Sequence, residues 1–299
     1  MADRLPSPVT QQPWHARAFG VELRLSFDAP ALRRCAIDDR EVSDPTELVI
    51  VGDREISERW GDDEGAFLGG LADAGGSDLL LDIRETPERG ILFKANVHGR
   101  YLIEPGQRRV LCAPPDVPPW HWQRMLVGQI LPLVSALQGF QVMHASALSV
   151  GATAIAISGE PGTGKSTLAL ELALRGHEIL AEDVTALRTE AGRLVAEPGV
   201  ALVNLRPSDE AERAIAAGGL RELGRSHKIH LDLPRFARPL PLGALFLLEP
   251  APAGAGFVER IPEPTLPDIA QTSFVPYLRR KQDLLGHLEV CATIALTSR

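Results

Sequence analysis

Residues 154–167 read Ala154-Ile155-Ala156-Ile157-Ser158-Gly159-Glu160-Pro161-Gly162-Thr163-Gly164-Lys165-Ser166-Thr167. The stretch opens as an apolar run with strand character. From Gly159 onward it fits the phosphate-loop (P-loop) pattern G-x-x-x-x-G-K-S/T. A helix is predicted from Lys165 to Arg175, closed by Gly176. Gly159, Gly162 and Gly164 let the backbone turn tightly, so that successive N–H groups face phosphate oxygens. The helix start at Lys165 adds its positive dipole end. The Lys165 ammonium then reaches the β- and γ-phosphates, and the Ser166 hydroxyl ligates Mg²⁺. Glu160, Pro161, Thr163 and Thr167 complete a loop expected to hold nucleotide phosphates.

Downstream, one helix and one strand (Glu178–Ala181) lead straight to Glu182-Asp183. An acidic pair at a strand tip sends consecutive side chains to opposite sides. One carboxylate can then face the metal and the other the phosphoryl acceptor. Ser166, Glu182 and Asp183 are the candidate metal ligands.

Around this centre, Val142–Val150 and Thr153–Ser158 are predicted as strands joined at Gly151. Further strands are expected at Val184–Arg188, Arg193–Ala196, Ala201–Leu205 and, as a buried run, Leu242–Leu248. Ser208–Ala217 is predicted helical with Ser208 as N-cap. Glu249–Pro267 reads as a long proline-rich loop, and Thr272–Leu288 as a helix broken near Pro276. Upstream, Val21, Leu23, Leu25 and Phe27 alternate with polar residues, as in a half-buried strand. Leu48–Val51, Leu79–Ile83, Ile91–Ala95 and Tyr101–Ile103 are further short strands. Turns are expected at Gly61–Gly65, Gly75–Ser77 and Asn96–Gly99. The prolines of Ala113–Pro119 form a connector, followed by a predicted helix from Trp120 to Gly139. Two domains follow: a β-rich one over 14–118 and a phosphate-loop one over 119–299.

The chain has 299 residues, 44% of them hydrophobic, which is enough to build a proper core. It carries 31 basic against 39 acidic residues, a formal net charge of -8. That balance argues against a general nucleic-acid or anionic-membrane binder. The first thirteen residues hold no charged-then-apolar leader pattern, so no signal peptide and a cytoplasmic location are expected. Cys35, Cys112 and Cys291 lack metal spacing and are expected as buried thiols. Four lysines occur, at 94, 165, 228 and 281, against 27 arginines. Each lysine in such a chain invites a location.

Met143-His144-Ala145-Ser146-Ala147, the glycine loop and Arg175-Gly176-His177-Glu178-Ile179-Leu180-Ala181-Glu182-Asp183-Val184 together resemble the catalytic domain of HPr kinase/phosphorylase. The likeness is closer to the related HPr-kinase-like proteins that carry a His-Ala-Ser-Ala segment. Some of those are tailoring kinases in peptide natural-product clusters. The likeness is strong over residues 125–188 and weaker through Lys228 and Pro241–Leu248. It implies an α/β fold of the HPr kinase/phosphoenolpyruvate-carboxykinase-like type with mixed sheets, preceded here by the smaller β-rich domain. It also implies ATP, Mg²⁺ and a serine hydroxyl as acceptor. Asp183 matches the second of two family aspartates and takes the general-base role, with His144 beside it to orient or tune it. Glu182 stands where the first aspartate is usual, one methylene longer. The second family signature, ending Arg-Asn-Leu-Ala, is absent. The nearest stretch is Lys228–Pro234, so phosphorolysis, a hexamer and HPr as substrate find no support.

The candidate catalytic set is thus Lys165, Asp183, His144 and Lys228, the last stabilising charge on the transferred phosphoryl group. Arg206 is a weaker candidate. His177 is expected at the surface, Trp120 and Trp122 as anchors of their helix, and Lys94 and Lys281 as solvated. Three functions remain open: a kinase of a peptide or small-protein serine, a kinase of a small hydroxylated metabolite, and a nucleotide-binding switch without phosphotransfer. No nucleic-acid or membrane partner is expected, and a homo-oligomer is left open.

Overall fold

The computed structural model describes residues 12–62, 64–72, 79–216, 220–249, 256, 258–259, 265–270, 272–274 and 281–297. The chain is a mixed α/β protein with mixed sheets. It divides into two compact units at Gln138/Gly139 rather than near residue 118. The reason is the helical stretch Pro119–Leu137, which fastens to the first unit. Its Ser135 hydroxyl donates to Phe19 O at 2.6 Å, and its Gln123 amide donates to Asp28 O at 2.8 Å. Trp122 is buried in the same unit. The stretch is one helix with a π turn at Leu126–Ile130.

The first unit is built on a nine-stranded sheet whose edge strands are Ala36–Ile37 and Ala66–Ala72. Strand Thr46–Ile50 pairs in parallel with Val21–Leu25 and with Arg109–Ala113. Val21, Leu23 and Leu25 are buried, as their alternation predicts. A helix not anticipated from sequence, Asp53–Trp60, covers the sheet. It lays Ile56 and Trp60 on Leu92, Leu102 and Leu111. Burying such side chains stabilises by about 1.5–3 kcal/mol each. The hairpin turn at Asn96–Gly99 is present, with Gly99 at φ +92°. The turn expected at Gly75–Ser77 lies outside the described residues. Lys94 is half-exposed, 3.8 Å from Asp82.

The second unit holds a seven-stranded mixed sheet. Its order is Gln141–Met143, Thr185–Glu190, Arg193–Glu197, Leu240–Leu248, Thr153–Gly159, Ala145–Val150, Ile179–Ala181. Only Thr153–Gly159 and Leu240–Leu248 run parallel within it. Ala145–Val150 and Thr153–Gly159 form the predicted hairpin around Gly151. A separate three-stranded sheet runs in the order Leu202–Leu205, Ile229–Asp232, Arg221–Arg225.

Alternation sorts the main sheet's side chains onto two faces. On one face Leu148 and Ile157 meet Ala169, Leu170 and Ala173 of the helix Lys165–Leu174, together with Val203, Leu205, Ile229 and Leu231 of the small sheet. On the other, Ala145, Ala147, Ala154 and Ala156 meet Val290, Cys291 and Ile294 of the helix Lys281–Thr297. All three cysteines are buried.

Two expectations are corrected here. Leu240–Leu248 is a strand, but beyond Leu240 its side chains are partly or largely exposed, Phe246 at 38%. Of the helix expected over 272–288, residues 281–288 are helical within Lys281–Thr297, whereas 275–280, with the break near Pro276, lie outside the described residues. Thr272 and Ser273 instead form a turn and a bridge to Met143. Most of the loop expected over 249–267 lies outside the described residues, although its last two positions open a short helix, Leu266–Ala270. Among the described residues no helix is long and apolar enough to cross a membrane.

Candidate functional site

The loop between the strand Thr153–Gly159 and the helix Lys165–Leu174 takes the shape its glycines permit. Gly159, Gly162 and Gly164 have φ of +151°, +91° and +99°, a region costly for residues with a Cβ. Gly159 is needed on a second ground: a Cβ there would lie 2.5 Å from Leu248 O. Within the loop, Thr163 Oγ1 donates to Glu160 O at 2.8 Å. The helix behind the loop ends in a Schellman motif. Gly176 N donates to Ala173 O and His177 N to Leu172 O, with Gly176 at φ +92°.

Lys165 is buried at the first helical position, its ammonium held by Gly159 O at 2.6 Å and Glu160 O at 3.1 Å. Burial lowers its pKa, against the opposing pull of Asp183 and Glu182. The next residue, Ser166, donates through its hydroxyl to Glu182 Oε1 at 2.7 Å. Loop helix and following strand are thus joined through side chains.

Glu182 and Asp183 do diverge, but a turn parts them rather than strand pleating. Asp183 sits at φ +64°, and Val184 N donates back to Glu182 O at 2.7 Å across it. A non-glycine residue in this region stores strain, least for Asp and Asn. The turn sends Glu182 inward, where it is 4% exposed, and leaves the Asp183 side chain 42% exposed. Burial and the neighbouring Asp183 charge push the Glu182 carboxyl up to about 8, while Ser166, Lys165 and Lys228 pull the other way. Its second oxygen, Oε2, is buried without a hydrogen-bond partner.

His144 occupies the break between the strands Gln141–Met143 and Ala145–Val150. Its backbone is pinned on both sides: its N–H donates to Thr272 O at 2.6 Å, and its carbonyl accepts from Ser158 Oγ at 2.8 Å. The ring lies parallel to Phe274, 13° between planes, with Nδ1 3.7 Å from Asp183 Oδ1. Burial lowers the imidazole pKa, Asp183 raises it and Lys165 lowers it further. The net direction keeps a neutral ring beside Asp183. Asp183 N also donates to Ser146 Oγ at 3.4 Å.

Several of these groups, though not the buried Glu182, border one cleft of about 660 Å³. Lys165, Ser166, Asp183, His144 and Lys228 all line it, as do the loop residues Pro161, Gly162, Gly164 and Thr167. Glu160 and Thr163 shape the loop from outside the lining. Lys228 comes from the turn between the strands Arg221–Arg225 and Ile229–Asp232. Arg206 also borders the cleft, together with Asn204 and Ser208, neither of which the sequence marks as a site residue. Their only advance signal was position, on and just after a strand predicted to follow the acidic pair. His177 is exposed at the helix end.

Among the described residues no group of three or more His, Cys, Asp or Glu side chains gathers as a metal site. Mg²⁺ asks for less: one or two carboxylates, with substrate phosphates and water completing its shell. The unpartnered Glu182 Oε2 beside the Ser166 hydroxyl fits that need.

No protein-family model and no curated protein matches the chain. One solved structure, the Hpr(Ser) kinase/phosphatase from Coxiella burnetii, is 24% identical with a TM-score of 0.25. The match covers 36% of this chain and 64% of that one, less than two thirds of its length.

Proposed function

We propose that this protein is an ATP-dependent kinase that transfers the γ-phosphoryl group to a hydroxyl, in first place the serine of a peptide or small protein. The observation that carries the reading is the Ser166–Glu182 hydrogen bond with Asp183 turned outward beside it. It puts one carboxylate at the phosphate loop and the next in the open cleft. The fold that holds them is a phosphate-loop kinase domain of the HPr-kinase-like type, accompanied by the β-rich N-terminal unit.

In this reading the loop amides and Lys165 hold the triphosphate, with Lys228 meeting charge on the transferred group. Ser166 and Glu182 would hold Mg²⁺, which would neutralise phosphate charge when bound. Asp183 accepts the proton of the attacking hydroxyl. His144, uncharged and fixed at its backbone, orients Asp183. Rate comes mainly from positioning and charge stabilisation. A peptide, a protein or a small hydroxylated molecule can each offer the hydroxyl, and mass spectrometry of the product distinguishes them. Incubation with γ-labelled ATP, Mg²⁺ and serine-containing peptides tests the reading. Label on a serine hydroxyl supports it, and nucleotide binding without any transfer opposes it.

A further inference from the structure

We propose that Asn204 is a further ligand contact in this cleft, gripping the terminal phosphoryl group of the nucleotide, and that the buried His230 is its positioning residue. The inference rests on the nucleotide reading above. Strand register sets Asn204 directly opposite His230 in the small sheet. His230 is 1% exposed, and its Nδ1 makes a short hydrogen bond with Asn204 Oδ1. Its other ring nitrogen, Nε2, lies 3.5 Å from Ser226 Oγ. That hydroxyl oxygen in turn accepts from Lys228 N at 3.4 Å, and Ser226 N donates to Lys228 O at 2.8 Å.

The chain of donors has a consistent direction. Lys228 N–H gives to Ser226, the Ser226 hydroxyl gives to His230 Nε2, and His230 Nδ1–H gives to Asn204 Oδ1. A neutral imidazole with its proton on Nδ1 satisfies every step. With its oxygen engaged, the Asn204 amide has N–H donors left for the cleft it borders. Donors suit an acceptor ligand, and phosphate oxygens are the acceptors a phosphate loop gathers.

The same relay selects the end of the cleft. Lys228, carried by the turn that His230 braces, lines the same cleft as Ser166 and Asn204. Glu182 and Ser166 mark the metal side, where the terminal phosphoryl group lies. One buried histidine thus ties two cleft groups together, Asn204 on a strand and Lys228 on a turn.

Calorimetry with the Mg²⁺ complexes of ADP and of the non-hydrolysable analogue AMP-PNP tests this. Hydrogen bonds to charged groups set the scale: Asn204→Ala is expected to weaken AMP-PNP by ~10-fold or more while leaving ADP within about twofold. His230→Ala should give the same split. His230→Asn, whose amide can replace the Nδ1 donor, should restore AMP-PNP binding to within about threefold. Equal losses for both nucleotides, no loss for either, or His230→Asn behaving as His230→Ala would overturn the inference. If His230→Ala fails to fold, Asn204→Ala and His230→Asn still decide it. Wild-type protein that binds both nucleotides but never transfers phosphate sinks the kinase reading alone. Wild-type protein that binds neither sinks both.

Discussion

Ser166 and Glu182 meet at 2.7 Å, joining the first turn of the loop helix to the residue just after the following strand. The contact converts two separate sequence features, a glycine loop and an acidic pair, into one site. Lys165 lies one residue to one side of it and Asp183 one residue to the other.

Lys165 supplies a point charge at the loop, and its ammonium is already seated on Gly159 O and Glu160 O. Lys165→Ala is expected to lower turnover on the order of a hundredfold or more. Steady-state kinetics should show the loss in kcat/KM. Lys165→Arg should not restore it, since a planar fork does not replace a compact ammonium.

Asp183 combines a catalytic assignment with a strained backbone at φ +64°. Asp183→Asn keeps the conformation and removes the base, so turnover should fall on the order of a hundredfold with the melting temperature unchanged. Asp183→Gly should lose activity equally but melt no lower than wild type, because glycine relieves the strain. A marked fall in melting temperature for the glycine variant would contradict this.

Glu182 makes metal-free stability depend on pH. Its carboxyl titrates near 8 in the fold against an ordinary 4.5, so the folded state binds the proton more tightly than the unfolded chain does. The stability that this one group contributes is therefore lost as pH rises from about 4.5, and its loss is complete above about 8. Glu182→Gln removes that dependence. Thermal melts without metal should show the variant above wild type at pH 9, by ~2 °C or more, with the gap closing toward pH 5. Adding Mg²⁺ and nucleotide should stabilise wild type more than the variant, which keeps the loop amides and Lys165 but lacks one carboxylate for the metal.

Gly159 faces Leu248 O, 2.5 Å from where a Cβ would stand. Gly159→Ala must push the parallel strand pair apart as well as adopt φ +151°. A stability loss of ~2 kcal/mol or more is expected in denaturant unfolding. Gly162→Ala meets no neighbour within 4 Å and should cost less, about 1–2 kcal/mol from φ alone.

The sequence carried the strand, loop and helix of the site because glycine spacing and an apolar run are local signals. It carried Glu182 and Asp183 as a pair, but not the turn that parts them, since a positive φ at an aspartate leaves no mark in composition. Asn204 and His230 were invisible as a pair: they lie 26 residues apart and meet only through strand register. The helix Asp53–Trp60 escaped notice because it buries only Ile56 and Trp60 on an otherwise polar segment. From sequence alone the helix Pro119–Leu137 looks like the start of the second domain. Its ties to Phe19 and Asp28 are long-range side-chain hydrogen bonds, which no local pattern reports.

The central claim is phosphoryl transfer that needs both sides of the Ser166–Glu182 contact. The most direct measurement incubates the full-length protein with γ-labelled ATP, Mg²⁺ and a library of serine-containing peptides, and locates the label by mass spectrometry. Wild type is expected to place label on a serine hydroxyl, with the label lost without Mg²⁺ and reduced on the order of a hundredfold in Lys165→Ala and Asp183→Asn. Nucleotide binding with no labelled product, or transfer by Asp183→Asn at the wild-type rate, would contradict it.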